Sequence, residues 1–147
     1  MAAGKKYAMV KSMSKRVDGH TVYRIRALRT FGNVEKGFGN VEKGDLGGYI
    51  EKHANLSHTG KAWIYDNAVV SGNAKVLGNA VVGGIAWVFD NAKVSGNAVV
   101  TGAAQVYGDA RVLGKVLDNA RVNGNASVFG TAWVSGTTKV TGRMMVK

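Results

Sequence analysis

From Ala62 the apolar positions recur every six residues. The chain reads AWIYDN AVVSGN AKVLGN AVVGGI AWVFDN AKVSGN AVVTGA AQVYGD without a break to Asp109, each hexad of the form Ala-x-(Val/Ile)-x-(Gly/Asp)-x. The stretch ARVLGKVLDN (Ala110–Asn119) breaks the frame, and ARVNGN ASVFGT AWVSGT TKVTGR restores it to Arg143. Ala and Val stand two apart, so on an extended chain both point to one side. The Gly, Asp or Asn that follows tolerates the positive φ of a tight corner. A helix would place apolar residues at three-to-four spacing and would be weakened by recurrent Gly. One hexad is therefore one short strand plus one corner, and it cannot bury its own apolar side. Successive units must coil and stack, with Ile64, Val70, Val76, Val82, Val88, Val94, Val100 and Val106 inward and the hexad Ala residues beside them.

This pattern resembles the hexapeptide-repeat proteins, with Val70, Ala74 and Val76 in that family's register over residues 54–147. The resemblance implies an all-β, single-domain, left-handed parallel β-helix with three hexads per triangular coil, between four and five coils in all. Residues 1–53 read differently, as a basic N-terminal cap. Tyr7–Ser12 and Thr21–Leu28 are strand-like, and Asp18-Gly19 marks a hairpin turn. A tandem heptad follows, FGNVEKG at Phe31–Gly37 and again at Phe38–Gly44, leading into DLGGYIEKHANLSHTGKAWIYDNA. The Arg-rich strand, the FGNV element, Asp45-Leu46-Gly47-Gly48-Tyr49-Ile50, Asn55-Leu56-Ser57 and the Tyr65-Asp66-Asn67-Ala68 entry resemble the YdcK-like proteins of phages and prophages. Against that pattern, the chain carries the heptad twice, and the extra copy is expected as a loop insertion. The resemblance implies an architecture and a phage or prophage origin, not a reaction.

Composition narrows the chemistry. The 147 residues include 21 Gly, no Pro and no Cys, so disulfides, thiolate metal sites and Cys nucleophiles are excluded. No apolar run approaches the roughly 20 residues of a membrane helix, and no signal-peptide pattern opens the chain. A soluble protein, in a bacterial cytoplasm or virion-associated, is the expectation. Lys and Arg total 20 against 9 acids, a net charge of +11, which favours acidic partners such as nucleic acid, nucleotides or acidic proteins. Residues 1–61 hold 12 basic and 5 acidic residues, and residues 62–147 hold 8 and 4.

Catalytic candidates are few. From Ala62 onward there is no His and no Glu, and Asp66, Asp90, Asp109 and Asp118 occupy corner positions. Acyltransferases of the hexapeptide family use a His on the coils, which this chain lacks, so no enzyme activity and no cofactor are expected. His53-x4-His58, with His20 far before, is superficially similar to the ligand spacing of γ-class carbonic anhydrases. Surface or capping histidines are the expectation instead. FGNVEKGFGNVEKGDLGG lacks the order of a phosphate loop, and Thr101, Thr131, Thr137, Thr138 and Thr141 are too sparse for an ice-binding ladder.

The residue after each hexad Ala faces outward. With three hexads per coil, one face carries Trp63, Val81 and Val99, the next Val69, Trp87 and Gln105, the third Lys75, Lys93 and Arg111. Stacked like charges repel, so Lys75, Lys93 and Arg111, with Arg24 and Arg26 of the cap, are the candidate surface for an anionic partner. Trp63 and Trp87 on the apolar faces, and Met144 and Met145 on the last coil, are the candidates for self-association. Residues 62–85 and 86–109 match at 15 of 24 positions, so the two Trp record a duplication rather than a Trp ladder. The reading that leads is a non-catalytic phage-type β-helix acting by binding or assembly through a rigid, basic surface. Two others stand beside it: a counter-defence inhibitor that binds nucleic acid, an anionic nucleotide or a host defence enzyme, and an atypical acyltransferase with its site near His53 and His58.

Overall fold

In a computed structural model of the protein, which describes residues 5–33 and 39–147, each hexad forms a two-residue strand at its second and third positions. Fifteen such strands run from Trp63–Ile64 to Met145–Val146. They stack in parallel into three sheets, five of these strands to each. Residues 18 apart lie side by side: Val81 pairs with Trp63 and Val99, Trp87 with Val69 and Gln105, Lys93 with Lys75 and Arg111. The molecule is thus an all-β solenoid of parallel coils, and the three outward faces are those read from the sequence. The inward residues Ile64, Val70, Val76, Val82, Val88, Val94, Val100 and Val106 are all fully buried, with the hexad Ala residues among them. Burying each Val contributes roughly 1.5–3 kcal/mol.

Corners explain the rest of the hexad. Its fifth residue takes a positive φ, for example 63° at Gly72 and 66° at Gly78. Three corners use Asp in that conformation, Asp66, Asp90 and Asp118, at 56°, 58° and 59°. Asp tolerates this region when its side chain finds a local partner. Each Oδ2 accepts the backbone N–H one coil on, from Gly84, Gly108 and Gly136 at 3.0, 3.1 and 2.9 Å. These carboxylates are therefore corner staples.

The frame break at Ala110–Asn119 is a shortened corner. Only Leu113 and Gly114 separate Arg111–Val112 from Lys115–Val116. Pairs that span this corner are 16 residues apart, as in Val99↔Lys115, Gln105↔Arg121 and Arg111↔Ser127. Gly114 stands where the repeat has Ala, because a Cβ there would strike the carbonyl oxygens of Phe129 and Ala132.

The cap is continuous with the solenoid. Strands β1 (Tyr7–Val17) and β2 (His20–Ala27) form an antiparallel hairpin around Asp18-Gly19, whose φ angles are 49° and 81°. After β3 (Phe31–Asn33) and β4 (Gly39–Val41), strand β5 (Leu46–Ile50) pairs antiparallel with β2 and parallel with Val69–Val70. The second face thereby becomes an eight-stranded sheet that begins in the cap. Gly47 and Gly48 permit this approach, since a Cβ on either would meet backbone oxygens of Ile64 or Ala68 at 2.6 Å. The turn behind β5 is closed by buried Asn55. Its Oδ1 accepts from the N–H groups of Glu51 and Lys52, and its Nδ2 donates to the carbonyls of Gly72 and Ala74.

The two heptad copies pair with each other: Phe31 lies opposite Val41 and Gly32 opposite Asn40, and the loop expected from the sequence falls on residues 34–38, which lie outside the described residues. This ribbon and β1 cover the start of the first face. Phe31 meets the Trp63 ring edge-on at 5.3 Å and Tyr7 meets it at 6.4 Å. Beside them Lys6 is fully buried, its Nζ donating to the Ala62 carbonyl at 2.5 Å. Burial, with the charge of Arg29 nearby, lowers the Lys6 pKa to about 7. The Tyr7 hydroxyl donates to the Leu56 carbonyl at 2.6 Å, and burial pushes its pKa up.

Val88→Asp places a carboxylate in this core and is expected to abolish the cooperative melting transition. An unchanged melting curve would refute the stacking. Gly114→Ala should destabilise by roughly 1–3 kcal/mol through overpacking, whereas Gly130→Ala, where a Cβ meets nothing within 4 Å, should not. For Lys6, the unfolded chain keeps a proton between pH 7 and 10.5 that the folded chain releases, so stability rises with pH across that window. Tyr7 opposes this above pH 10, its unfolded value. The melting temperature should climb from pH 7 to pH 10, and Lys6→Met should remove most of the climb.

Candidate functional site

Lys75, Lys93 and Arg111 stand in register on the third face, all exposed. Parallel stacking places neighbours about 4.8 Å apart. None of the three side chains has an ion pair or hydrogen-bond partner among the described residues. Like charges facing each other on adjacent strands cost roughly 0.2–1 kcal/mol per pair. Below them the column continues as Ser127 and Met145, so the ladder is three cations long. Sequence reading missed a second, shorter ladder. Arg121 and Lys139 follow Gln105 on the second face, both exposed. Their register emerges only once the two-residue deletion at Leu113-Gly114 is allowed for.

Arg24 does not join this surface. Its guanidinium bonds to the carbonyls of Gly47 and Asp66, the Tyr49 hydroxyl and Asn67 Oδ1, and it lies 4.4 Å from the Tyr49 ring. It clamps β2 to the corner between the first and second faces, while the ladder occupies the third. Arg26, two residues on, is exposed. The surface read as one from the sequence is therefore divided.

The self-association residues divide as well. Trp63, expected on an open apolar face, is 1% exposed beneath the cap, and Val81 beside it is fully buried. Trp87 is half-buried. The exposed Trp is Trp133, at 62%, with Lys115 Nζ 4.4 Å from its ring. Met144 and Met145 are exposed, at 55% and 59%.

The histidines separate into two places. His53 and His58 stack on Tyr7, at 5.5 and 4.1 Å, and His58 Nδ1 accepts the Lys6 N–H. Burial first, then nearby positive charge, holds both imidazoles below their ordinary value. They serve the docking of the cap. His20 instead faces Glu51, Nδ1 to Oε2 at 3.0 Å. Burial alone would raise the Glu51 pKa, but bonds from His20 and the Gly72 N–H, with the charges of His20 and Lys52, hold it low. An ionised carboxylate only accepts, so His20 donates from Nδ1 and keeps Nε2 as its other polar atom. Among the described residues no three His, Asp or Glu side chains come together as metal ligands would.

The hairpin also brings His20 and Asp18 over the coils, where sequence reading placed no histidine. They form one side of an open cleft of about 400 Å³. Trp87, Phe89, Asn91 and Asp109 line the other side. The spacing of residues 73, 91 and 109 was visible in the repeat, but the overhanging hairpin was not.

Two overlapping stretches, residues 92–106 and 104–118, match the sequence model of the YdcK beta solenoid repeat. No curated protein matches the chain. The second stretch spans the shortened corner. The protein is a β-solenoid whose central coils are similar to the YdcK repeat.

Proposed function

We propose that this protein is a non-catalytic binding module, whose rigid coils present a row of cations to an anionic macromolecule. The observation that carries the reading is the unpaired, in-register ladder of Lys75, Lys93 and Arg111. A rigid row of charges loses little conformational freedom on binding, which favours affinity. Arg121 and Lys139 extend the positive surface, and the net charge of +11 draws polyanions from a distance. A phosphate backbone is the anion this surface suits best, because it offers charge at regular intervals along a line. The Asp side chains of three corners are committed to backbone N–H groups and His53 and His58 to the cap, which favours binding over catalysis.

Retention on single-stranded oligonucleotides tests this directly. Each phosphate contact contributes about 0.7 to the salt slope of the affinity on a single strand. Changing Lys75, Lys93 and Arg111 together to Glu should lower that slope by about 2 and abolish retention at moderate salt. Lys93→Glu alone gives alternating charges, and should weaken binding while slightly raising the melting temperature. A triple variant with the unmodified protein's affinity and salt slope would overturn the proposal.

A further inference from the structure

We propose that the cleft between the hairpin tip and the coil corners is a saccharide site, which takes an uncharged, polyhydroxylated ligand. Its volume of about 400 Å³ falls in the range of small-molecule sites, roughly 300–1,000 Å³.

One wall is aromatic and already fixed. The Trp87 indole N–H donates to Ser71 Oγ at 3.3 Å. Its ring packs on Phe89 at 4.1 Å, and Phe89 stacks on Tyr107 at 4.7 Å and 7°. Asn123 Nδ2 in turn donates to the Tyr107 hydroxyl at 2.8 Å. A half-buried indole held from two sides loses little freedom when a ligand arrives. Such a ring suits the C–H face of a pyranose.

Hydrogen-bonding groups stand in a row beside it. Asn73, Asn91 and Asp109 occupy the last position of successive corners, one coil apart, and all three are exposed. Asn73 Nδ2 donates to Asn91 Oδ1 at 3.4 Å, and Lys52 Nζ donates to Asn73 Oδ1 at 2.8 Å. The row therefore presents amide donors and acceptors, then a carboxylate. The carboxylates of Asp109, and of Asp18 across the cleft, have no hydrogen-bond or ion-pair partner among the described residues. Neighbouring sugar hydroxyls both donate and accept, which matches this mixture.

Charge argues against the other ligand classes. An anion would meet the carboxylates of Asp18, Asp90 and Asp109. A cation would enter beside Lys75, Lys93 and Arg111, each two residues beyond the row, within the screening length of about 8 Å. A neutral polar ligand avoids both penalties.

The test is a printed array of neutral and charged glycans probed with the full chain in high salt, which suppresses contacts made by the ladder. Saturable retention of neutral glycans is expected, weakened at least about tenfold by Trp87→Ala and by Asp109→Ala, a loss of about 1.4 kcal/mol. Asp109 is an exposed corner residue, so that variant stays folded by circular dichroism even if Trp87→Ala does not. Lys93→Glu should leave glycan binding unchanged while weakening oligonucleotide binding, which separates this site from the ladder. Absence of any neutral glycan signal, equal retention by Asp109→Ala, or displacement by spermidine or arginine amide would each overturn the proposal.

Discussion

Everything in this molecule depends on register between successive coils. A hexad offers one inward Ala and one inward Val, too little apolar surface to fold alone, so each strand is stable only against the strands one coil before and after it. The hydrogen bonds that hold this stack, such as Trp87 N–H to the Ala104 carbonyl at 3.0 Å, fix residues 18 apart side by side. Any outward side chain that recurs at that interval becomes a row. The cationic ladder, the Asp staples, the Asn73–Asn91–Asp109 row and the Phe89–Tyr107 stack all follow from this one constraint. Where two residues are missing at Leu113-Gly114, the register adjusts from 18 to 16 and the inward Val column continues unbroken.

A stack of strands must still begin somewhere, and here the start is closed by groups that the repeat does not contain. β5 supplies a first strand for the second face, and the hairpin of β1 and β2 extends it. On the first face, Trp63 is an anchor that Tyr7 and Phe31 cover from the cap. The polar groups trapped by this closure are satisfied one by one: the Asn55 side chain makes four hydrogen bonds, Tyr7 reaches the Leu56 carbonyl, and Lys6 reaches the Ala62 carbonyl. Burial without those partners would cost several kcal/mol in all. His53 and His58 are part of the same closure.

Two kinds of surface result. The ladder is periodic, repeated by the coils themselves, and suits a partner with repeated charge. The cleft is aperiodic, because it is built where the tip of the β1–β2 hairpin overhangs the corners, and it suits a single small ligand. The two lie side by side through Asn73 and Lys75, Asn91 and Lys93, Asp109 and Arg111.

The sequence by itself determined the solenoid, its inward columns, the three outward faces and the hairpin turn. These rest on local rules: alternation sends Ala and Val to one side, and Gly or Asp turns the corner at positive φ. It also placed Lys75, Lys93 and Arg111 on one face, because counting hexads is counting register. Only the tertiary structure decided what lies over those faces. Trp63 occupies an outward position yet is buried, because the cap folds back on it through contacts between residues more than thirty apart in sequence. Arg24 reads as a free cation on a strand, but its partners come from β5 and from the corner at Asp66-Asn67. His20 lies far from the coils in sequence and reaches them because its hairpin overhangs the corners. No periodicity encodes such long-range contacts, which arise from the shape of the folded chain.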